Sequence, residues 1–382
     1  MRFFNKKWFV FMAVLILSVM AACGQDAINT NTNTPSNTNE NTSTNTDSNN
    51  NTNDQDKAED VQLKIGLSVV DLSLERWQHD RDIFIERAEE LGAEVITQSA
   101  DGDADKQLST IQNMLSQGID ALVIIAANSD ALAPVVEQAN EQNVPVIAHD
   151  RLINNADIAA YVSFDNVGVG EMQAQYIVDQ VPTGKYFLLG GEPSDHTAHM
   201  FRQGQMNILE PLIEAGDIEI VGDQWAESYS AEAALSHVEN ALTANNNDID
   251  AIVAVNDSTA GGAVQALVAQ NLAGEVVISG QDADLAAVQR IAEGTQSMTV
   301  YKPIKNIATT SAELAVRLAK GEDVSGEATE SIDNGFKEVP FFQLTPISVD
   351  KDNLIDTVIA DGFQSYDDVY KNIPEDERPP KP

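Results

Sequence analysis

From residue 62 two hydrophobic periods alternate along the chain. Leu63-Lys64-Ile65-Gly66-Leu67-Ser68-Val69-Val70 reads as a strand, Leu74 to Leu91 has helical spacing, and Glu94-Val95-Ile96-Thr97 reads as a second strand. Gln107 to Gln117 is helical, with Leu108, Ile111, Met114 and Leu115 on one face. Ala121-Leu122-Val123-Ile124-Ile125 is apolar on both sides, the pattern of a strand buried between two helix layers. A helix over Ala131 to Gln142 and a strand at Val144-Pro145-Val146-Ile147-Ala148 follow. The run is β-α-β-α-β-α-β with short connections, which predicts a parallel sheet with right-handed crossovers.

The pattern then restarts. Strands are predicted at Ala160–Phe164, Lys185–Leu189, Ile218–Val221, Ala251–Ala254, Val276–Ser279 and Met298–Val300. Helices are predicted between them, at Val167–Val181, His199–Ala215, Ala231–Thr243, Thr259–Gln270 and Ala286–Glu293, with a last one at Ile304–Lys320. The fold class is α/β: two doubly wound parallel-sheet units in tandem. The roughly 300 residues between 61 and 362 also exceed one ordinary core and point to two domains. The acidic stretch from 363 to 382 is expected to be a flexible tail.

In doubly wound sheets ligands bind beyond the carboxyl ends of the strands. Polar residues stand there throughout. Asp71, Glu75, Arg76, Trp77 and Gln78 follow the first strand, and Asp150 and Arg151 the fourth. In the second unit Asp195, His196, Thr197 and Arg202, then Trp225, then Asn256 and Asp257, then Gln281 and Asp282, then Lys302 take the same places. This set suits a neutral sugar. Each hydroxyl donates and accepts, so it can bridge a carboxylate and a guanidinium or amide, while C–H faces pack on an indole. Singly, Asp165, Asn256 and Asp257 read equally well as helix caps.

Composition adds location. Arg2, Lys6 and Lys7 precede an apolar run, Trp8 to Ala22, ending Met20-Ala21-Ala22-Cys23, which predicts a signal peptide over 1–22. Cys23 is the only cysteine, and the stretch resembles a bacterial lipobox, so Cys23 is the expected lipidation site. Residues 23–60 are almost all Asn, Thr, Ser, Asp and Gln, a composition that predicts a disordered tether reaching about 35 Å. The formal charge of −38 becomes about −41 without the signal peptide, which argues against nucleic acid as a partner. The expected location is extracytoplasmic, lipid-anchored to the cell membrane, and the long tether favours a Gram-positive surface over a periplasm.

Several segments are specific enough to place the chain. Leu74-Glu75-Arg76-Trp77-Gln78, Asp150-Arg151-Leu152-Ile153-Asn154, Asn240 to Asn247, Gly280-Gln281-Asp282-Ala283-Asp284-Leu285 and Thr299-Val300-Tyr301-Lys302-Pro303-Ile304 closely resemble the D-xylose-binding branch of the type I periplasmic-binding-protein family. The resemblance spans about residues 62–362. It implies two lobes joined by a three-strand hinge, an N-terminal lobe of 61–165 plus 303–337 and a C-terminal lobe of 166–302 plus 338–362. It implies sugar contacts at Arg76, Trp77, Asp150, Arg151, Thr197, Arg202, Trp225, Asn256, Asp282 and Lys302. Trp77 and Trp225 would pack on the sugar faces, and Asp150, Arg202, Asn256 and Asp282 would bond its hydroxyls. Thr197 departs from the family, which has asparagine there.

The implied function is capture of a monosaccharide, D-xylose, by lobe closure and its delivery to an ABC transporter permease. The alternative is a sensor that presents the liganded form to a chemoreceptor or histidine kinase. No catalytic residue, cofactor or metal is expected, and the protein is expected to be a monomer. Asp101-Gly102-Asp103-Ala104-Asp105 fails as a calcium loop, because Lys106 and Gln112 stand where the turn glycine and bidentate glutamate belong. His196, His199 and Asp195 lack a fourth zinc ligand. Gly168-Val169-Gly170 lacks the third glycine of a dinucleotide fingerprint, at Gln173.

Overall fold

The computed structural model describes residues 62–382; the expected signal peptide, the expected lipidation site at Cys23 and the expected tether lie outside them. The first unit runs β1 (Lys64–Val69), α1 (Glu75–Glu90), β2 (Glu94–Ser99), α2 (Ala104–Ser116), β3 (Ala121–Ile124), α3 (Ala133–Glu141), β4 (Val146–His149) and β5 (Ala160–Phe164). The second runs α4 (Asn166–Gln180), β6 (Gly184–Gly190), α5 (His196–Ala215), β7 (Ile218–Trp225), α6 (Ala231–Ala244), β8 (Ala251–Ala254), α7 (Asp257–Gln270), β9 (Val277–Ile278), α8 (Leu285–Glu293) and β10 (Met298–Tyr301). The chain ends with α9 (Ile304–Ala319), β11 (Glu330–Asp333), β12 (Glu338–Leu344), β13 (Ile347–Asp350) and a short α10 (Tyr366–Val369).

The strands form a seven-stranded sheet in the order β11-β12-β5-β4-β3-β1-β2, a four-stranded sheet β7-β6-β8-β9 and an outlying pair β10-β13. Pairing is parallel except at β11-β12 and β10-β13. The apolar runs behave as their composition requires. Ala121, Leu122, Val123 and Ile124 in β3 and Ala251 to Ala254 in β8 are fully buried between helix layers. In each sheet the first strand is flanked by the second on one side and the third on the other. Connections leave these neighbours in opposite directions, and a crevice opens beyond the carboxyl ends of β1 and β3 and of β6 and β8.

Two glycines fix the helix that carries part of the site. A Cβ on Gly170 of α4 would lie 2.0 Å from the Phe201 carbonyl oxygen, and one on Gly204 of α5 would lie 1.9 Å from that of Val167. The two backbones therefore touch, and α5 is held with Thr197 and Phe201 toward the crevice.

One lobe boundary differs from the one the resemblance implies, and the tail differs from what its composition predicts. Residues 338–344, expected with the C-terminal lobe, form β12 in the seven-stranded sheet, with Phe341 to Leu344 in register with Tyr161 to Phe164. The chain changes sheet only after Leu344, where β13 pairs with β10. The stretch after 363 is folded against the second unit. Tyr366, Val369 and Tyr370 are buried against Val288, Leu354 and Val358, because aromatic burial outweighs the acidic composition that suggested a free tail.

Candidate functional site

The loop after β1 leads into α1, whose first turn carries Arg76 and Trp77. Both side chains turn inward and are buried. Arg76 is held on its own helix by Asp80, four residues on, at 3.3 Å from Nη2. Asp80 is held in turn by Nε2 of His149 at 3.1 Å, and Nδ1 of His149 lies 2.8 Å from the Ser311 hydroxyl. This second layer fixes the guanidinium before it meets any ligand.

Asp150 follows β4 in the left-handed region, with φ of 59°. A non-glycine residue keeps that conformation only when its surroundings impose it. Here its amide donates to the Val162 carbonyl at 2.8 Å, and its own carbonyl accepts from the Tyr161 and Ser163 hydroxyls, each at 2.8 Å. Asp282, after β9, is also left-handed, at φ 101°, with its amide tied to the Val300 carbonyl at 2.9 Å. The two carboxylates converge on shared cations. Arg76 Nη2 donates to Asp150 Oδ1 at 3.0 Å and Nη1 to Asp282 Oδ1 at 2.8 Å. Lys302 Nζ lies 3.2 Å from Asp150 and 3.8 Å from Asp282, between the rings of Phe164 and Phe201.

A second cluster adjoins. Arg151 Nε lies 3.0 Å from Asp195 Oδ2, and its Nη1 donates to the Ala126 carbonyl at 3.0 Å. The Tyr229 hydroxyl donates to the same Asp195 oxygen at 2.7 Å. Arg76, Arg151 and Lys302 thus balance Asp150, Asp195 and Asp282. Burial opposes ionisation of Asp150, yet Arg76, Lys302, His149 and Arg151 together hold its carboxyl well below the usual range. Burial likewise opposes the Arg76 charge, and Asp150, Asp282 and Asp80 outweigh it and raise the pKa. For Lys302 burial wins, helped by Arg76, and its pKa falls despite the two carboxylates. An Asp150 carboxylate held in its charged form accepts hydrogen bonds and is not a proton donor.

These groups line a narrow space of about 20 Å³ between the units, tightly drawn together in this structure. Of the ten residues expected from the sequence, Arg76, Trp77, Asp150, Arg151, Thr197, Asn256, Asp282 and Lys302 line it. Asn256 also serves as a cap, its Oδ1 accepting from the Thr259 amide at 3.0 Å. Arg202 and Trp225 are not in the wall. Arg202 donates to Asp223 and, from Nε, to Gln205 Oε1 at 3.0 Å, and it lies 5.3 Å from the Trp225 ring centre. Trp225 packs on His199, ring centres 4.8 Å apart. Arg202 Nη2 is itself buried with no hydrogen-bond partner among the described residues.

Leu74, Asp195, Phe201, Tyr229 and Gln281 complete the wall. Asp195 and Gln281 were visible at strand ends. Phe201 was legible only as the residue one helical turn after Thr197, and Tyr229 lies in a left-handed turn, φ 54°, that no pattern announced. Arg76 Nε, Trp77 Nε1, Thr197 Oγ1 and Gln281 Oε1 are buried with no hydrogen-bond partner among the described residues. Buried polar groups are normally paired, so these mark where a ligand's donors and acceptors belong. Beyond Leu74, Arg151 and Tyr229 lies an open cleft of about 470 Å³, which shares those three side chains as its wall with the cavity.

Residues 65–323 match the model of the periplasmic binding protein domain. The chain is 56% identical over 313 residues to the D-xylose-binding periplasmic protein of Haemophilus influenzae, covering 82% of this chain and 94% of that one. It is 56% identical over 302 residues to the D-xylose-binding periplasmic protein of Escherichia coli, covering 79% and 91%. Among solved structures, the carbohydrate transporter solute-binding protein of Chloroflexus aurantiacus in complex with D-glucose superposes with a TM-score of 0.76 at 30% identity, over 80% of this chain and 98% of that one.

Proposed function

The chain belongs to the periplasmic-binding-protein domain family, and from that membership we propose that it is an extracytoplasmic receptor that captures D-xylose by closure of its two lobes and delivers it to an ABC transporter permease. The observation that carries the reading is the cavity itself. It lies between the lobes, is nearly charge-balanced, and is lined by buried polar atoms that lack partners among the described residues. A pyranose supplies alternating hydroxyls for Arg76, Asp150, Thr197, Asn256, Gln281 and Asp282 and an apolar face for Trp77. Its 56% identity to two D-xylose-binding proteins favours a pentose over the glucose held by the more distant structural relative.

Arg76, Asp282, Asp150 and Lys302 come from both units, so a ligand seated among them stabilises the closed form over the open one, and that difference is what a permease reads. No bond is made or broken. The lipid anchor is part of the same proposal. Cys23 at the end of the apolar run would carry it, and residues 24–60 would hold the monomeric receptor clear of the membrane.

Isothermal titration of the folded part, residues 62–382, tests the assignment. D-Xylose should bind one to one, at least about tenfold tighter than D-ribose, L-arabinose, D-glucose or D-galactose. Tight binding of another sugar with xylose silent would move the specificity. Silence from all five would end the receptor reading. For the anchor, Cys23→Ala should release the protein from the membrane fraction into the medium.

A further inference from the structure

Residues 363–370 lie on the second unit yet reach the first. Tyr366, Val369 and Tyr370 are buried against α8 and the segment after β13. Gln289 Nε2 donates to the Asp368 carbonyl at 2.9 Å and Asn372 Nδ2 to Glu293 Oε1 at 2.7 Å, which fasten the stretch to α8. From this base two side chains cross to α1. Phe363 stacks on Tyr301, ring centres 5.4 Å apart, and meets the His79 ring edge-on at 5.4 Å. Gln364 Nε2 donates to Glu75 Oε1 at 2.9 Å, while Glu75 Oε2 accepts from the amide of Leu285, the first residue of α8, at 3.2 Å.

Glu75 and His79 are one helical turn apart on α1, beside the turn that Arg76 and Asp80 present to the cavity. The contacts of Phe363 and Gln364 with α1 therefore exist only while the lobes are together. Resting on the receptor function argued above, we propose that residues 363–370 are a clasp that holds the closed form, with Phe363 and Gln364 acting as affinity-determining positioning residues that touch no sugar. The Glu75 carboxylate faces the amino end of α8, where negative charge is favourable, so the hydrogen bond and the helix end act together across the lobes. When the lobes part, Glu75, Gln364 and the Phe363 ring return to water. The closed state thus gains contacts that the open state lacks, whichever sugar is bound, and only such differential contacts shift the equilibrium.

The test uses the full mature chain and a Phe363→Ala/Gln364→Ala variant, titrated with D-xylose, D-ribose, L-arabinose, D-glucose and D-galactose. The variant should bind the preferred sugar about tenfold more weakly, with unchanged stoichiometry and rank order of sugars, chiefly through faster release in stopped-flow. Glu75→Ala should weaken binding similarly, and adding Gln364→Ala to it should cost little more. That non-additivity should be absent from the melting temperatures of the sugar-free proteins, which a purely structural role would move. Equal affinities of variant and wild type would overturn the clasp and leave the receptor intact. A wild-type chain that binds none of the five sugars would overturn the receptor reading and the clasp with it.

Discussion

Arg76 donates from Nη1 to Asp282 Oδ1 at 2.8 Å, joining two residues 206 positions apart, one from each unit. The same guanidinium reaches Asp150 at 3.0 Å, so one side chain pairs with two of the three aspartates in the cavity wall. Replacing it by methionine, of similar length, keeps most of the packing and leaves Asp150 and Asp282 to Lys302 alone. Breaking a buried pair of this kind costs about 3–5 kcal/mol. We expect Arg76→Met to weaken D-xylose binding by at least about 100-fold in calorimetry. Lysine should rescue it poorly, because one ammonium cannot occupy both directions of the fork. Near-wild-type binding by either variant would mean that the pair is incidental to the site.

Most of this arrangement was legible before any coordinates. The alternation of periods from Leu63 to Val300 placed the core strands, and reading the residues just after them found ten of the side chains in the cavity wall, eight of them contacts that the resemblance implies. The remainder depended on tertiary partners. Nothing in the spacing of Arg202 says that Asp223, on the next strand, will claim it. Tyr229 enters the wall through a left-handed turn that local propensity disfavours. β11 is short, it joins β12 through Asn334-Gly335, and β12 carries Pro340, so their pattern resembles loop until β5 supplies a pairing edge. Phe363, Tyr366, Val369 and Tyr370 have the spacing of a docked segment. Asp367, Asp368 and the acids at 375–377 hid it by lowering the mean hydropathy.

Thr197 offers the cavity a hydroxyl with no partner among the described residues, where the family pattern has asparagine. Its amide is already bound to Asp195 Oδ1 at 2.9 Å, which fixes the first turn of α5 whatever the side chain. Thr197→Asn adds a donor pair and a carbonyl at an unchanged backbone. One added hydrogen bond is worth about 1 kcal/mol, or roughly fivefold in affinity. Titration of the variant with D-xylose and its epimers should show tighter xylose binding of that order. Weaker binding to every sugar would indicate that the cavity was shaped around the smaller side chain.

Leu74 is the one apolar, unfastened member of the wall between the cavity and the outer cleft. Its companions Arg151 and Tyr229 are both tied to Asp195, at 3.0 and 2.7 Å. Removing the isobutyl group should therefore join the two spaces without disturbing the ion pairs. Leu74→Ala is expected to admit a pyranose with one further substituent, raising D-glucose or xylobiose affinity relative to D-xylose by about tenfold. D-Xylose itself should lose several-fold through lost packing. Gain with glucose alone would place C5 of the sugar at this wall, and gain with xylobiose alone would place a glycosidic oxygen there. An unchanged ratio for both would show that Leu74 does not set the size limit.

Asp257, the first residue of α7, makes stability depend on pH. Its Oδ1 accepts from Gln296 at 2.8 Å, and its Oδ2 accepts from the Thr299 hydroxyl at 3.0 Å and the Asp284 amide at 3.1 Å. Burial pushes its carboxyl from 3.8 up to about 7; Arg290 opposes this and Asp282 adds to it. The folded state therefore binds this proton more tightly than the unfolded chain. The stabilisation is complete below about pH 4 and is lost as pH rises through about 7, by about 1.4 kcal/mol per unit within that window. Burial pushes Asp284 in the same direction. Asp150, held in its charged form, works oppositely, and its contribution is lost only in strong acid. Melting curves of the sugar-free protein should thus fall by about 2–4 °C per unit between pH 5 and 7 from this group. Asp257→Asn, which cannot ionise, should flatten the slope and be the more stable protein at pH 8.5 relative to its own value at pH 5. Parallel slopes in the two proteins would place the pH dependence elsewhere.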